Sequence, residues 1–122
     1  MLNIKKPQVP NHRVTLIGMM GTGKSKFGRL VANKLRFKFY DVDSLIEKQF
    51  KSTIRELFEK YNESFFRSVE KETIKKLVFQ IRKKNEKVII SIGGGGFDNK
   101  ETRKLLLNYT KVIWLNTPTD IL

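Results

Sequence analysis

Gly18-Met19-Met20-Gly21-Thr22-Gly23-Lys24-Ser25 fits the spacing G-x-x-x-x-G-K-[ST]. The glycines let the backbone wrap tightly, so that successive N–H groups can face phosphate oxygens. Lys24 is then placed to reach the β- and γ-phosphates, and the Ser25 hydroxyl to ligate Mg²⁺. The flanks agree with this reading. Val14-Thr15-Leu16-Ile17 reads as a short buried strand, and Lys24 to Leu35 as a helix with Phe27, Leu30, Val31 and Leu35 on one face. The helix N-terminus adds its partial positive charge to an anion site. A dinucleotide fingerprint fits less well, because Lys26 occupies the place of its third glycine.

A chain of 122 residues is one domain with room for a hydrophobic core. It has no cysteine, which excludes disulfides and thiolate metal sites. Residues 1–12 read as a polar leader with two prolines and no apolar signal core, and the folded domain is expected over 13–122. No apolar run approaches the roughly 20 residues of a membrane span, so a soluble cytoplasmic protein without membrane contact is expected. The net charge is +13. Its lysines are scattered among Asn, Ile and Phe rather than gathered in a block, which argues against nucleic acid as a partner. The positive field still favours anionic substrates.

Along the chain, Phe37 to Asp41 reads as a second strand ending in acids at Asp41 and Asp43, with Ser44 capping a short helix through Ile46 to Phe50. Thr53-Ile54-Arg55-Glu56 has capping-box spacing and opens a helix to Lys60. After Asn62 a long helix runs towards Lys84; Phe66, Val69, Ile74, Leu77, Val78 and Ile81 follow a helical period with one slip between Val69 and Ile74. Lys87 to Ile92 is almost continuously apolar, as a central parallel strand should be. Gly93 to Gly96 follow, then a helix capped by Asp98 or Asn99 and reaching Leu107, then a fourth strand, Lys111 to Leu115. Thr117-Pro118 is a helix-start signal. This alternation predicts an α/β fold with a parallel sheet.

Four features in this order resemble shikimate kinase: the phosphate loop, Asp41-Val42-Asp43, Phe66-Arg67 with Glu70, and Gly93-Gly94-Gly95. Gly28-Arg29, Ile46-Glu47-Lys48 and Glu101-Thr102-Arg103 extend the match from about Val14 to the end of the chain. The resemblance implies a three-layer P-loop kinase fold of sheet order 2-3-1-4-5. It implies ATP-dependent phosphorylation of shikimate, with ATP and Mg²⁺ as cofactors. Gly21, Thr22, Gly23, Lys24, Ser25 and Lys26 would hold the nucleotide, with Ser25 ligating the metal directly and Asp41 through water. Lys24 and Asp43 would be catalytic, Asp43 also binding the ring hydroxyls and accepting the attacking hydroxyl's proton. Arg67 would bind the substrate carboxylate, its planar fork suiting that group better than a lysine. Glu70 would orient Arg67, and Gly94 and Gly95 would let substrate approach the backbone.

Lys26 stands where the family usually has threonine, and Gly96-Phe97 replaces a small-aliphatic pair. The family's lid arginine, its further substrate arginine, its last strand and its adenine loop have no counterpart in these residues. Against the family pattern the chain is therefore expected to be C-terminally incomplete, a weak catalyst, and prone to self-association through its fourth strand where the family is usually monomeric. A non-catalytic nucleotide-binding remnant and another small-molecule kinase, such as a gluconate kinase, are the rival readings. Arg67 and the glycine triplet speak against the latter.

Overall fold

A computed structural model describes Val9 and residues 11–18 and 24–115 of the chain. Loop residues 19–23, Thr117-Pro118 and most of the polar leader lie outside the described residues. The elements run β1 (Arg13–Gly18), α1 (Lys24–Leu35), β2 (Lys38–Asp41), α2 (Val42–Phe50), α3 (Ile54–Lys60), α4 (Glu63–Lys84), β3 (Val88–Gly93), α5 (Gly94–Phe97), α6 (Lys100–Tyr109) and β4 (Lys111–Leu115). The four strands form one parallel sheet in the order β2-β3-β1-β4, which is the family order as far as it goes.

Strand periodicity divides the core into two layers. Val88, Ile90 and Ile92 of β3 join Ile17 and the apolar sides of α2, α3, α4 and α6 on one face. Ile89 and Leu16 face the other way, against Ala32, Phe27 and Val31 of α1. Alternate residues of a strand point to opposite faces, so a continuously apolar strand is needed where both faces are covered.

The packed side of α1 differs from the expectation. Leu30 and Leu35 are 56% and 53% exposed, and the buried positions are Gly28 and Ala32. The cause is close approach: a Cβ on Gly28 would lie 2.7 Å from Phe39 Cε1 and 3.0 Å from Leu16 Cδ1. Small residues at the contact bring the helix axis inward, and the leucines on its flanks are left outside.

The cap of α2 also differs. It is Asp41, not Ser44, and the helix starts at once after β2. The predicted capping box at Thr53 and Glu56 is present, and Asn62 and Asn99 cap α4 and α6. At the C-terminal end of α6, the buried Thr15 and Thr110 hydroxyls lie 2.7 Å apart, and Thr110 Oγ1 donates to the Leu106 carbonyl at 2.8 Å. Among the described residues β4 pairs with β1 alone, and its Ile113 and Trp114 are exposed. No described helix is long and apolar enough to cross a membrane.

Candidate active site

The register brings three strand ends level: Gly18 lies opposite Gly93, and Asp41 opposite Ser91. In parallel α/β sheets the carboxyl ends of the strands are where ligands bind. Ser25, in the first turn of α1, donates from Oγ to Asp41 Oδ2 at 2.9 Å and lies 3.5 Å from Ser91 Oγ. The other oxygen of Asp41, Oδ1, accepts the backbone N–H of Asp43 at 3.1 Å and so caps α2. Asp43 follows in the first turn of that helix.

Burial pushes the Asp43 carboxyl above the ordinary carboxylate range, and the Asp41 charge pushes the same way. The charges of Lys24 and Arg67 pull it back, while that of Glu47 adds to the rise. Asp43 thus sits in the fields of the two cations that the sequence assigns to opposite ends of the reaction.

Arg67, on the first turns of α4, donates from Nη1 to Glu70 Oε1 at 2.7 Å, and its Nε lies 3.8 Å from Glu63 Oε1. Glu70 is buried, and burial raises its pKa; the Arg67 hydrogen bond and charge only partly offset this, and Asp43 adds to the rise. This buried carboxylate fills the slip in the apolar period between Val69 and Ile74.

The glycine run is not an extended turn; Gly94–Phe97 forms a single helical turn after β3. A Cβ on Gly95 would lie 2.8 Å from Arg67 Cζ and 2.9 Å from Nη1. One on Gly96 would lie 2.8 Å from Glu70 Oε2. Gly94 has open space on that side, with nothing within 4 Å. Gly95 therefore makes room for the arginine itself, and Gly94 is the position left clear.

Of the sequence-predicted residues, Lys24, Ser25, Asp41, Asp43, Arg67, Gly94 and Gly95 fall at this end of the sheet, while Gly21, Thr22 and Gly23 lie outside the described residues. Lys26 is exposed on α1. Sequence reasoning missed Ser91 and Gly96. A lone hydroxyl inside Ile-Ile-Ser-Ile was the available signal for the first, since a buried polar side chain in an apolar strand needs a reason. A groove of about 460 Å³ between α2 and α4, floored by Leu45, Val69 and Leu77, includes none of these residues.

Comparison with known proteins agrees with this arrangement. The sequence model of the shikimate kinase family matches residues 20–122. Shikimate kinase of Zymomonas mobilis is 40% identical over 120 residues, covering 98% of this chain and 65% of that protein. The crystal structure of Aquifex aeolicus shikimate kinase superposes with a TM-score of 0.77 at 34% identity, over 89% of this chain and 62% of that one. Shikimate kinase from Acinetobacter baumannii, solved in complex with shikimate, gives 0.78 at 32% identity, over 93% and 59%. The chain thus spans about three fifths of the length of its relatives. With sheet order, register and sequence in agreement over most of its residues, the chain belongs to the shikimate kinase family.

Proposed function

We propose that the protein transfers the γ-phosphoryl group of ATP to a hydroxyl of shikimate, in the cytoplasm, as a single kinase domain running from residue 13. The observation that carries this reading is that the half-buried acid Asp43 feels the charges of both Lys24 and Arg67, while Arg67 is held by the buried Glu70. One cation suits a phosphate chain and the other a carboxylate, and an acid in the fields of both suits a hydroxyl that reacts between them.

The residues present fit a magnesium ion. Ser25 and Asp41 offer a hydroxyl and a carboxylate, already 2.9 Å apart at the head of α1. Mg²⁺ takes hard oxygen ligands, usually one or two from protein and the rest from phosphate and water. When bound, the ion neutralises charge on the phosphates. Ser25 would hold it directly and Asp41 through water, with Gly21, Thr22, Gly23 and Lys24 around the nucleotide.

The chain's own residues supply the rest. Arg67 binds the substrate carboxylate in a bidentate fork, and Glu70 holds the guanidinium in place. The open side of Gly94 admits the ring. Asp43 accepts a hydrogen bond from the attacking hydroxyl and takes its proton as the new P–O bond forms and the bond from the γ-phosphorus to the bridging oxygen of ADP breaks, ADP being the leaving group. Its raised pKa brings it closer to the operating range of a general base. Transfer then rests on positioning and charge, without a covalent enzyme intermediate.

A coupled ADP-release assay with shikimate and gluconate tests this reading. Turnover with shikimate and none with gluconate is expected, and it should be lost in Asp43→Asn. A protein that binds Mg²⁺·ADP yet releases no ADP with shikimate is a remnant and overturns the proposal.

A further inference from the structure

Asp41 carries hydrogen bonds that join the two halves of the site. Its Oδ2 accepts from the Ser25 side chain on α1, and its Oδ1 accepts from the Asp43 backbone on α2. The two contacts use different oxygens of one planar group, so neither can move without turning the other. The group has little freedom to absorb such a turn. Asp41 ends β2, is fixed in register against the fully buried Ser91, and has the extended backbone of a helix N-cap (φ −100°, ψ 115°). Asp43, two residues on, has its amide committed to that same carboxylate.

We propose that Asp41 is a positioning residue that couples the two substrates: through Oδ1 it sets the place of Asp43, and through Oδ2 it makes that place respond to whatever engages Ser25. The proposal rests on the reading of Ser25 as a metal ligand and Asp43 as a substrate group. It assigns to Asp41 a task distinct from supplying a water ligand. Ser25 can offer a lone pair to a cation while its proton stays on Asp41 Oδ2, so a shift of the hydroxyl towards the cation draws the carboxylate with it. The carboxylate that follows carries the first turn of α2 with it. Occupancy of the phosphate side is thereby reported to the group that takes the proton.

Two substitutions separate the tasks. Asparagine is as good an N-cap as aspartate, because one side-chain oxygen suffices, whereas alanine caps poorly. Asp41→Asn therefore keeps the bond to the Asp43 amide and replaces the acceptor of the Ser25 hydroxyl by an NH₂ group. Asp41→Ala loses both. Without ligand, the Asp43 amide should exchange its proton about fivefold faster or more in Asp41→Ala, the size of a lost cap, and at the wild-type rate in Asp41→Asn. Asn99→Ala, which removes a cap on α6, should leave Asp43 exchange unchanged and control for general loosening.

The second measurement is the amide resonance of Asp43 in the intact protein as Mg²⁺·ADP is added. It should move in the wild type and stay in place in Asp41→Asn at a nucleotide concentration that saturates both. Shikimate affinity should improve with Mg²⁺·ADP in the wild type and be indifferent to it in Asp41→Asn. Equal exchange rates in all variants overturn the positioning role, and an equal resonance shift in wild type and Asp41→Asn overturns the coupling. Failure of the wild type to bind Mg²⁺·ADP at all overturns instead the functional reading on which the coupling depends; the exchange arm needs no ligand and still decides the cap.

Discussion

Glu70 Oε1 accepts the Arg67 Nη1 proton at 2.7 Å, with 4% of the glutamate side chain exposed against 38% of the arginine's. The pair is lopsided: the carboxylate bears nearly all of the desolvation, and the guanidinium keeps a free side towards solvent. That is the geometry of a holder and a held group. It separates the pair from the ordinary surface pairing of Arg55 with Glu59, in which both side chains are exposed.

Burial raises the folded-state pKa of Glu70, so folding favours its protonated form. The stability linked to this group is full below the ordinary carboxylate pKa and is lost as pH rises through the raised value. Glu70→Gln, which keeps an acceptor oxygen and carries no charge, should be more stable than wild type near neutrality. That advantage should vanish in acid. The same variant should bind shikimate about tenfold more weakly, the value of one charge-assisted bond. Urea melts at the two pH values and calorimetry with shikimate check both halves; a variant less stable at neutral pH would show that the ion pair outweighs the burial.

The glycines of α5 should differ sharply. Gly94→Ala adds a methyl into open space within a helical turn and should leave folding stability unchanged or improve it by up to about 1 kcal/mol. Gly95→Ala places a methyl against the Arg67 guanidinium and should weaken shikimate binding while nucleotide binding is unaffected. Thermal melts and separate titrations with shikimate and ADP distinguish them. A Gly95→Ala variant with wild-type shikimate affinity would show that the place of the arginine does not depend on that glycine.

Lys24→Ala should weaken Mg²⁺·ADP binding about tenfold or more, since a charge-assisted contact to phosphate is lost. It should leave the cap on α2 intact, because Asp41 reaches Asp43 without it. Calorimetry against ADP gives the first result. Affinity equal to wild type would remove the phosphate site from the Gly18–Ser25 stretch.

The buried threonine pair has a direction. Thr110 spends its single hydroxyl proton on the Leu106 carbonyl, so Thr15 must be the donor between the two hydroxyls. Thr110→Val removes the acceptor of a buried donor and should cost about 1–3 kcal/mol. Thr15→Val leaves every donor placed and should cost distinctly less. Denaturant unfolding of the two variants reads the difference, and equal costs would reverse the assigned proton.

Much of this was legible in the sequence. The bounds of α1 and β4, the Thr53 capping box and the Asn62 cap follow from local chemistry, and the structure has them where spacing puts them. The sheet order came from resemblance, since nothing local distinguishes β3 as the neighbour of β1. What escaped reading depends on partners distant in sequence. Leu30 and Leu35 look like core until Gly28 is seen to let α1 down onto Phe39. Glu70 breaks a hydrophobic period because its partner Arg67 lies on its own helix, but its burial is set by the glycines of α5. Ser91 gains a meaning only once β2 is laid beside β3.

That last pairing bears on when the site comes into being during synthesis. Ser25 and Ser91 are separated by 66 residues, and the residue that ties them, Asp41, is held in register by β3. The phosphate-loop motif looks self-contained as a string of letters. Yet a nascent chain that has emerged only as far as α4 has no strand to set β2 against, and Asp41 has no fixed station from which to reach Ser25. Closing such long loops is the slow part of folding a parallel sheet. The acidic, cationic and glycine parts of the site should therefore appear together and late, on arrival of β3 and α5, and ligand capture during translation should begin only then.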